Sequence, residues 1–171
     1  IFNHGYDHFG NGVDAQGRAV FEFKNSSLAD QIDHLRRTQA LARSKLGITI
    51  RAFGAPFNAT DSLTVDALRA VPELQVWIFG QPGAGKFVLP RVAEAEFPTH
   101  YPDAAQFVAQ YDPTIAIITL QLHPAGWADA RWLEFEKIVR FLKSRNASFT
   151  TPSDLYRFRH PDVRTYLDPS Y

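Results

Sequence analysis

The chain of 171 residues carries 18 Lys and Arg against 18 Asp and Glu, so no broad electrostatic field draws it to nucleic acid or to an anionic membrane. It has no cysteine, which excludes disulfides and thiolate metal sites and leaves His, Asp and Glu as the ligands for any metal. Its length suits one substantial domain, and no apolar run approaches a bilayer span.

In chain order, residues 1–3 read as the tail of a strand, and residues 9–24 as a glycine-bearing loop with a short hairpin. Ser27 and Asp30 form a capping-box pattern. Leu28, Ile32, Leu35, Ala42 and Leu46 then fall at helical spacing up to a stop at Gly47, with Gln39 the one polar break. Residues 48–53 predict a strand, 54–61 a loop, 64–71 a short helix ended by Pro72, and 74–79 a second strand. Residues 80–98 look irregular, with Pro82, Pro90 and Pro98 among their glycines. Asp103 caps a short helix through Gln110, and residues 114–122 carry the strongest strand pattern. A second long helix follows over 127–145, apolar at Trp132, Phe135, Ile138, Val139 and Leu142. A last strand over 148–150, a helical turn over 152–158 and a surface tail over 160–171 complete the chain. Alternating strand and helix predicts parallel βα units in a single α/β domain over 1–171.

Two histidines four residues apart, His4 and His8, carry the most chemical information. On a helical turn such a pair shares one face, and neutral imidazole is the commonest zinc ligand. A catalytic zinc usually takes three protein ligands, so the pair supplies two. The spacing alone fits capped loop histidines equally well. His123 ends the apolar run Ile115–Leu122 and is followed by Pro124. In α/β folds the carboxyl end of a strand is where ligands bind, although a histidine there also serves simply to begin a turn.

Gly80-Gln81-Pro82-Gly83-Ala84-Gly85-Lys86 matches the opening of a phosphate-binding loop. Phe87 stands where the pattern needs Ser or Thr, and Pro90 stands in the second turn of the helix that must follow. Without that helix the amide cradle for a phosphate is lost, and a nucleotide-binding function is set aside. The chain opens on Ile1 and holds no Met, which reads as a processed or partial protein rather than an intact translation product. Acceptor sequons at Asn25, Asn58 and Asn146 hint at secretion.

Four separated segments together resemble the polysaccharide deacetylases, the metal-dependent carbohydrate esterases of family 4. Asn3-His4-Gly5-Tyr6-Asp7-His8 is similar to their His-x-x-x-His motif, and Phe53-Gly54-Ala55-Pro56-Phe57-Asn58 to their Phe-Arg-Pro-Pro-Tyr-Gly motif. Leu120-Gln121-Leu122-His123 is similar to the strand that ends on a histidine, and Phe149 to Leu155 to the closing aromatic-Thr segment. The resemblance spans residues 1 to about 158. It implies a distorted (β/α) barrel whose N-terminal strand or strands lie outside this chain. The strands at 48–53, 74–79 and 115–122 would then share one sheet or barrel, with His4, Phe57 and His123 at its same end.

The resemblance also implies a function: hydrolysis of acetyl groups from a polysaccharide or amino sugar. His4 and His8 would bind a divalent metal, zinc foremost, and His123 would act as general acid. The backbone N–H of Phe57 would bind the oxyanion, with Asn58 beside it. Trp127 would stack on a sugar ring, a residue that at a helix start more often packs. The implied partner is an acetylated carbohydrate, and the implied location extracellular or periplasmic.

Departures from the family pattern are equally specific. The family's aspartate motif, which supplies the base and the third metal ligand, would precede Ile1, in an upstream segment or a companion chain. The Arg that holds that base in the family aligns with Gly54. Asp7, Asp14, Asp61 and Asp103 are the stand-ins to consider. The alternative function is a catalytically inactive, carbohydrate-binding relative.

Overall fold

The computed structural model describes residues 1–161, and the expected tail over 162–171 lies outside the described residues. The described residues form two compact units: one of residues 1–89 with 151–161, and one of residues 90–150.

The first unit begins beside a sheet. Asn3 pairs in parallel with Phe53, its N–H donating to Ala52 O at 2.8 Å and its carbonyl accepting from Gly54 at 3.0 Å. Strands β1 (Gly12–Val13) and β2 (Ala19–Val20) form the expected short antiparallel hairpin. Helix α1 (Leu28–Leu46) starts where Ser27 Oγ accepts the Asp30 N–H and ends on Gly47 at φ 67°, a left-handed turn that glycine adopts without strain. Its buried face is Gln31, Leu35, Gln39 and Ala42, so a second polar residue, Gln31, joins Gln39 there, and Leu46 of the expected stripe is exposed. Gln39 is buried because its Nε2 donates to Ile50 O at 3.0 Å, closing a backbone acceptor that no strand partner takes there.

A three-stranded parallel sheet follows, made of β3 (Ala52–Phe53), β4 (Val76–Ile78) and β5 (Phe87–Leu89), with β4 in the middle. Helix α2 (Ser62–Arg69) connects β3 to β4 behind a full capping box between Asp61 and Thr64. Helix α5 (Pro152–Arg159) lies against β4. The core holds Phe23, Leu35, Phe53, Leu68, Leu74 and Trp77, all fully buried, with Phe53 making ring contacts to Phe23 and Trp77.

The second unit packs α3 (Ala104–Gln110) on α4 (Asp129–Ser144) around Ala95, Phe107, Ile138 and Leu142.

Three expectations need correction. Residues 114–122 form no strand among the described residues. Ile118, Leu120 and Leu122 instead pack their apolar side chains on the α3–α4 core, so the alternating pattern marks a half-buried edge rather than a ladder. Residues 148–150 likewise form no strand. The third strand of the sheet is β5, from the stretch read as irregular, because parallel pairing with β4 overrides its flanking glycine and proline signals. The sheet is open among the described residues, so the fold is mixed α/β with a parallel sheet and shows no closed barrel.

The same strand bears on the phosphate-loop pattern. Gly80–Lys86 leads into β5, so the helix whose N-terminus the phosphate-loop pattern requires next does not follow it. The Lys86 ammonium donates to Val71 O at 3.2 Å, and burial lowers its pKa.

Candidate functional site

The first unit brings His4 and His8 together, though not on a helix. Their rings lie 5.2 Å apart across a turn in which Gly5 (φ 81°) and His8 (φ 56°) are left-handed. A turn with two such residues folds back tightly enough to do what a helical i, i+4 pair would do. His4 Nδ1 lies 2.7 Å from Gly54 O. A carbonyl only accepts, so Nδ1 is the donor, and in the neutral imidazole Nε2 is the nitrogen with a lone pair for a ligand. A carbonyl behind a ligating imidazole is the usual outer-shell arrangement in metal sites. The donor set therefore fits two positions of a zinc-type site.

Other groups of the turn are tied into the surrounding structure. Asn3 Oδ1 accepts the Gly5 N–H at 3.1 Å, and Asn3 Nδ2 donates to Leu35 O at 3.2 Å. Thr38 Oγ1 donates to Gly5 O at 2.8 Å, and Asp7 Oδ1 accepts the Phe9 N–H at 3.0 Å. The Glu22 carboxylate accepts the N–H of Tyr6 and, at 3.0 Å, that of His8. His34 Nδ1 lies 2.8 Å from the same carboxylate.

Phe57 reaches this turn through its ring, 4.5 Å from the His8 ring and 5.5 Å from Phe21. Phe57 and Asn58 have φ 57° and 53°, a backbone state rare for an aromatic residue and one that concentrates at functional sites. The Asn58 N–H donates to Ala55 O at 3.1 Å and is thus engaged in the turn. No acceptor among the described residues takes the Phe57 N–H.

The candidate stand-ins for the missing carboxylate are mostly committed elsewhere. Asp14 accepts the N–H groups of Gln16 and Arg18, both at 2.9 Å, and pairs with Arg18 Nε at 2.7 Å. Those bonds, led by the Arg18 backbone N–H, hold its carboxyl below the usual range. Asp61 accepts from Leu63, Thr64, Asn25 and Gln31. Asp103 caps α3. Only Asp7 lies in the turn, and its carboxylate is grouped with Glu22 and His34, with ligand atoms within 4.8 Å of one another. That trio is a possible three-residue metal site. Glu22 already accepts two backbone N–H groups and faces His34 there, so hydrogen bonding accounts for the cluster without an ion.

The second unit places His123 against a partner that sequence reading missed. His123 Nδ1 lies 2.5 Å from Glu96 Oε2, and its backbone N–H donates to Glu96 Oε1 at 2.8 Å. Glu96 is buried; burial by itself raises its carboxyl pKa, but hydrogen bonds from the His123 ring and backbone and from the His100 backbone outweigh it and hold the group low. His100 Nδ1 donates to His123 O at 2.9 Å. A cavity of about 240 Å³ opens here, lined by Arg91, Glu94, Glu96, Pro98, Gln121 and His123. Trp127 is packed against Trp132 and Phe135 and buried, whereas Trp132 is exposed. Its surroundings are those of a packing residue at a helix start.

Glu22, His34, Glu96 and His100 thus join the candidate groups. His34 and His100 carried no sequence signal, and each carboxylate lies far along the chain from the turn or histidine it serves.

No protein-family model matches the sequence, and no curated protein matches it. A solved structure does: the family 4 acetyl xylan esterase from Clostridium thermocellum, described in complex with a cobalt ion, aligns at a TM-score of 0.58. The chain shares the fold of a family 4 carbohydrate esterase. The alignment covers 95% of this chain and 68% of that one at 18% identity, so what it carries over is the fold.

Proposed function

We propose that this chain is a metal-dependent carbohydrate deacetylase, removing acetyl groups from a polysaccharide or amino sugar. The observation that carries the reading is the His4–His8 pair, with the proton of His4 fixed on Nδ1 by Gly54 O and Nε2 left free to ligate. The fold shared with an acetyl xylan esterase supports the substrate class.

His4 and His8 hold a divalent ion, zinc first among the choices for an imidazole pair without thiolates. When bound, such an ion polarises the acetyl carbonyl and acidifies a coordinated water. Phe57 offers its backbone N–H to the developing oxyanion. In its own unit, His123 is oriented by Glu96 with its Nδ1–H on the carboxylate, so that in the imidazolium form Nε2–H is the proton given to the leaving oxygen or nitrogen, which leaves the ring neutral. Asp7 remains the acidic group nearest in sequence to the pair, and a segment or companion chain supplying an aspartate completes the ligand set. The partner is an acetylated carbohydrate, met outside the cell or in a periplasm.

The test is acetate release from acetylated xylo- and hexosamine oligomers, with added zinc or cobalt and after chelation. Chelator-sensitive release supports the proposal. Oligosaccharide binding with no release, under any metal and with a companion segment present, favours the inactive carbohydrate-binding alternative.

A further inference from the structure

The turn that carries His4 and His8 is held by a carboxylate for which the proposed chemistry has no use. The Glu22 side chain is fully buried, and a buried carboxylate is tolerated only when hydrogen bonds satisfy it. Its donors are specific: the N–H of Tyr6, the N–H of His8 and Nδ1 of His34 on α1. Its own backbone N–H donates to Phe9 O at 2.9 Å, and its carbonyl accepts from Ser26 Oγ at 2.8 Å. Glu22 therefore grips the turn from within and is itself anchored on either side.

A turn outside helix and sheet must place its N–H groups on other acceptors. One carboxylate here serves His8 directly and, through Tyr6, the segment just after His4. It also faces the left-handed backbone of His8, a state that non-glycine residues rarely adopt. Gly5 completes the fit, since a Cβ at that position would collide with the Glu22 carboxylate. Tyr6 is held from outside by the Arg37 guanidinium, 3.7 Å from its ring centroid.

We propose that Glu22, oriented by His34, is a positioning residue that sets the separation and direction at which His4 and His8 hold a metal ion. The inference rests on the metal reading above. Outer-shell groups that orient metal ligands typically change metal affinity by about 10–100-fold when altered.

The experiment is a cobalt(II) titration of the full chain, read by calorimetry and by the visible absorption of the bound ion. Glu22→Gln puts an amide N–H₂ against a backbone N–H and keeps the size. Expected are an affinity about 10–100-fold weaker and a shifted cobalt spectrum at saturation, with far-UV circular dichroism unchanged. A general loss of stability would not move that spectrum in a folded variant. Wild-type affinity and spectrum in folded Glu22→Gln overturn the proposal.

Should Glu22→Gln not fold, His34→Ala carries the test, because it keeps both N–H bonds and removes only the orienting imidazole. A weaker, spectrally shifted site supports the proposal, and an unchanged one overturns it. His4→Ala separates the two levels. Undiminished cobalt binding there refutes the metal reading itself, whereas loss there beside none in the Glu22 and His34 variants refutes only the role of Glu22.

Discussion

His123 is tied to Glu96 twice, by ring and by backbone: Nδ1 lies 2.5 Å from one carboxylate oxygen, and the His123 N–H donates to the other at 2.8 Å. The two bonds fix the imidazole in position and in tautomer, because a carboxylate held ionised accepts and does not donate. Nε2 is left as the atom that exchanges protons. A carboxylate–histidine pair of this kind is a tool for acid–base chemistry wherever it occurs, and its neighbouring cavity gives it access to a small polar group.

The pair makes a pH prediction. The Glu96 carboxyl is held below its ordinary value, so it binds a proton less readily in the folded chain than in the unfolded one. Its contribution to stability is therefore full above the unfolded value of about 4.3 and is lost as pH falls through the lower folded value. Urea unfolding of wild type and Glu96→Gln, compared between pH 7 and pH 3, should show a gap that narrows below about pH 4. A gap constant across that range would mean that Glu96 is not selectively stabilised in its ionised form.

The metal reading predicts that His4→Ala and His8→Ala each weaken zinc or cobalt binding by more than tenfold, since removing either leaves a single imidazole. Binding should also weaken as pH is lowered, because an imidazole must be deprotonated to ligate and metal uptake releases protons. Calorimetry in buffers of different ionisation enthalpy measures that release. Affinity independent of pH would point to carboxylates alone, with the Asp7–Glu22–His34 group losing His34 from its ligand set.

Local signals were the legible part of this sequence. Ser27, Gly47 and Asp103 act at helix ends through bonds that span a few residues, so α1 and α3 were readable within a turn, whereas α2 was placed two residues late because its N-cap, Asp61, was read as loop. His4 and His8 were readable as a pair, but not as a pair brought together by left-handed residues, because a four-residue spacing looks the same in a helix and in this turn. The strand pattern of 114–122 misled because alternation reports one buried face and not the presence of a pairing partner. Glu22 and Glu96 were invisible because a buried carboxylate is defined by its donors, and those come from 12 to 27 residues away in the bonds to His34, His8 and His123.

Asp61 illustrates a carboxylate whose role is structural. It caps α2 through Leu63 and Thr64 and also accepts the Asn25 N–H at 2.8 Å and Gln31 Nε2 at 3.2 Å. Loss of an N-cap alone costs about 0.5–2 kcal/mol. Asp61→Ala also leaves Gln31, on the buried face of α1, without this acceptor, so the cost should exceed the upper end of that range. Thermal unfolding measures it. Cobalt binding by the folded variant should be unchanged, which an Asp61 acting as metal ligand would not allow.

The contact between Gly5 and Glu22 allows a sharper test of the turn. Gly5 has φ 81°, where alanine is strained, and an added Cβ would meet the Glu22 carboxylate. Gly5→Ala should therefore destabilise by more than the roughly 1 kcal/mol expected of a strained backbone alone. Part of that cost belongs to the collision and should vanish when Glu22 is shortened. In a double-mutant cycle with Glu22→Ala, the two costs should sum to more than the double variant loses, with a coupling of about 0.5–3 kcal/mol. Chemical denaturation of the four proteins supplies the numbers. Simple additivity would show that the turn and the carboxylate do not press on each other, and that the glycine at this position answers to backbone conformation alone.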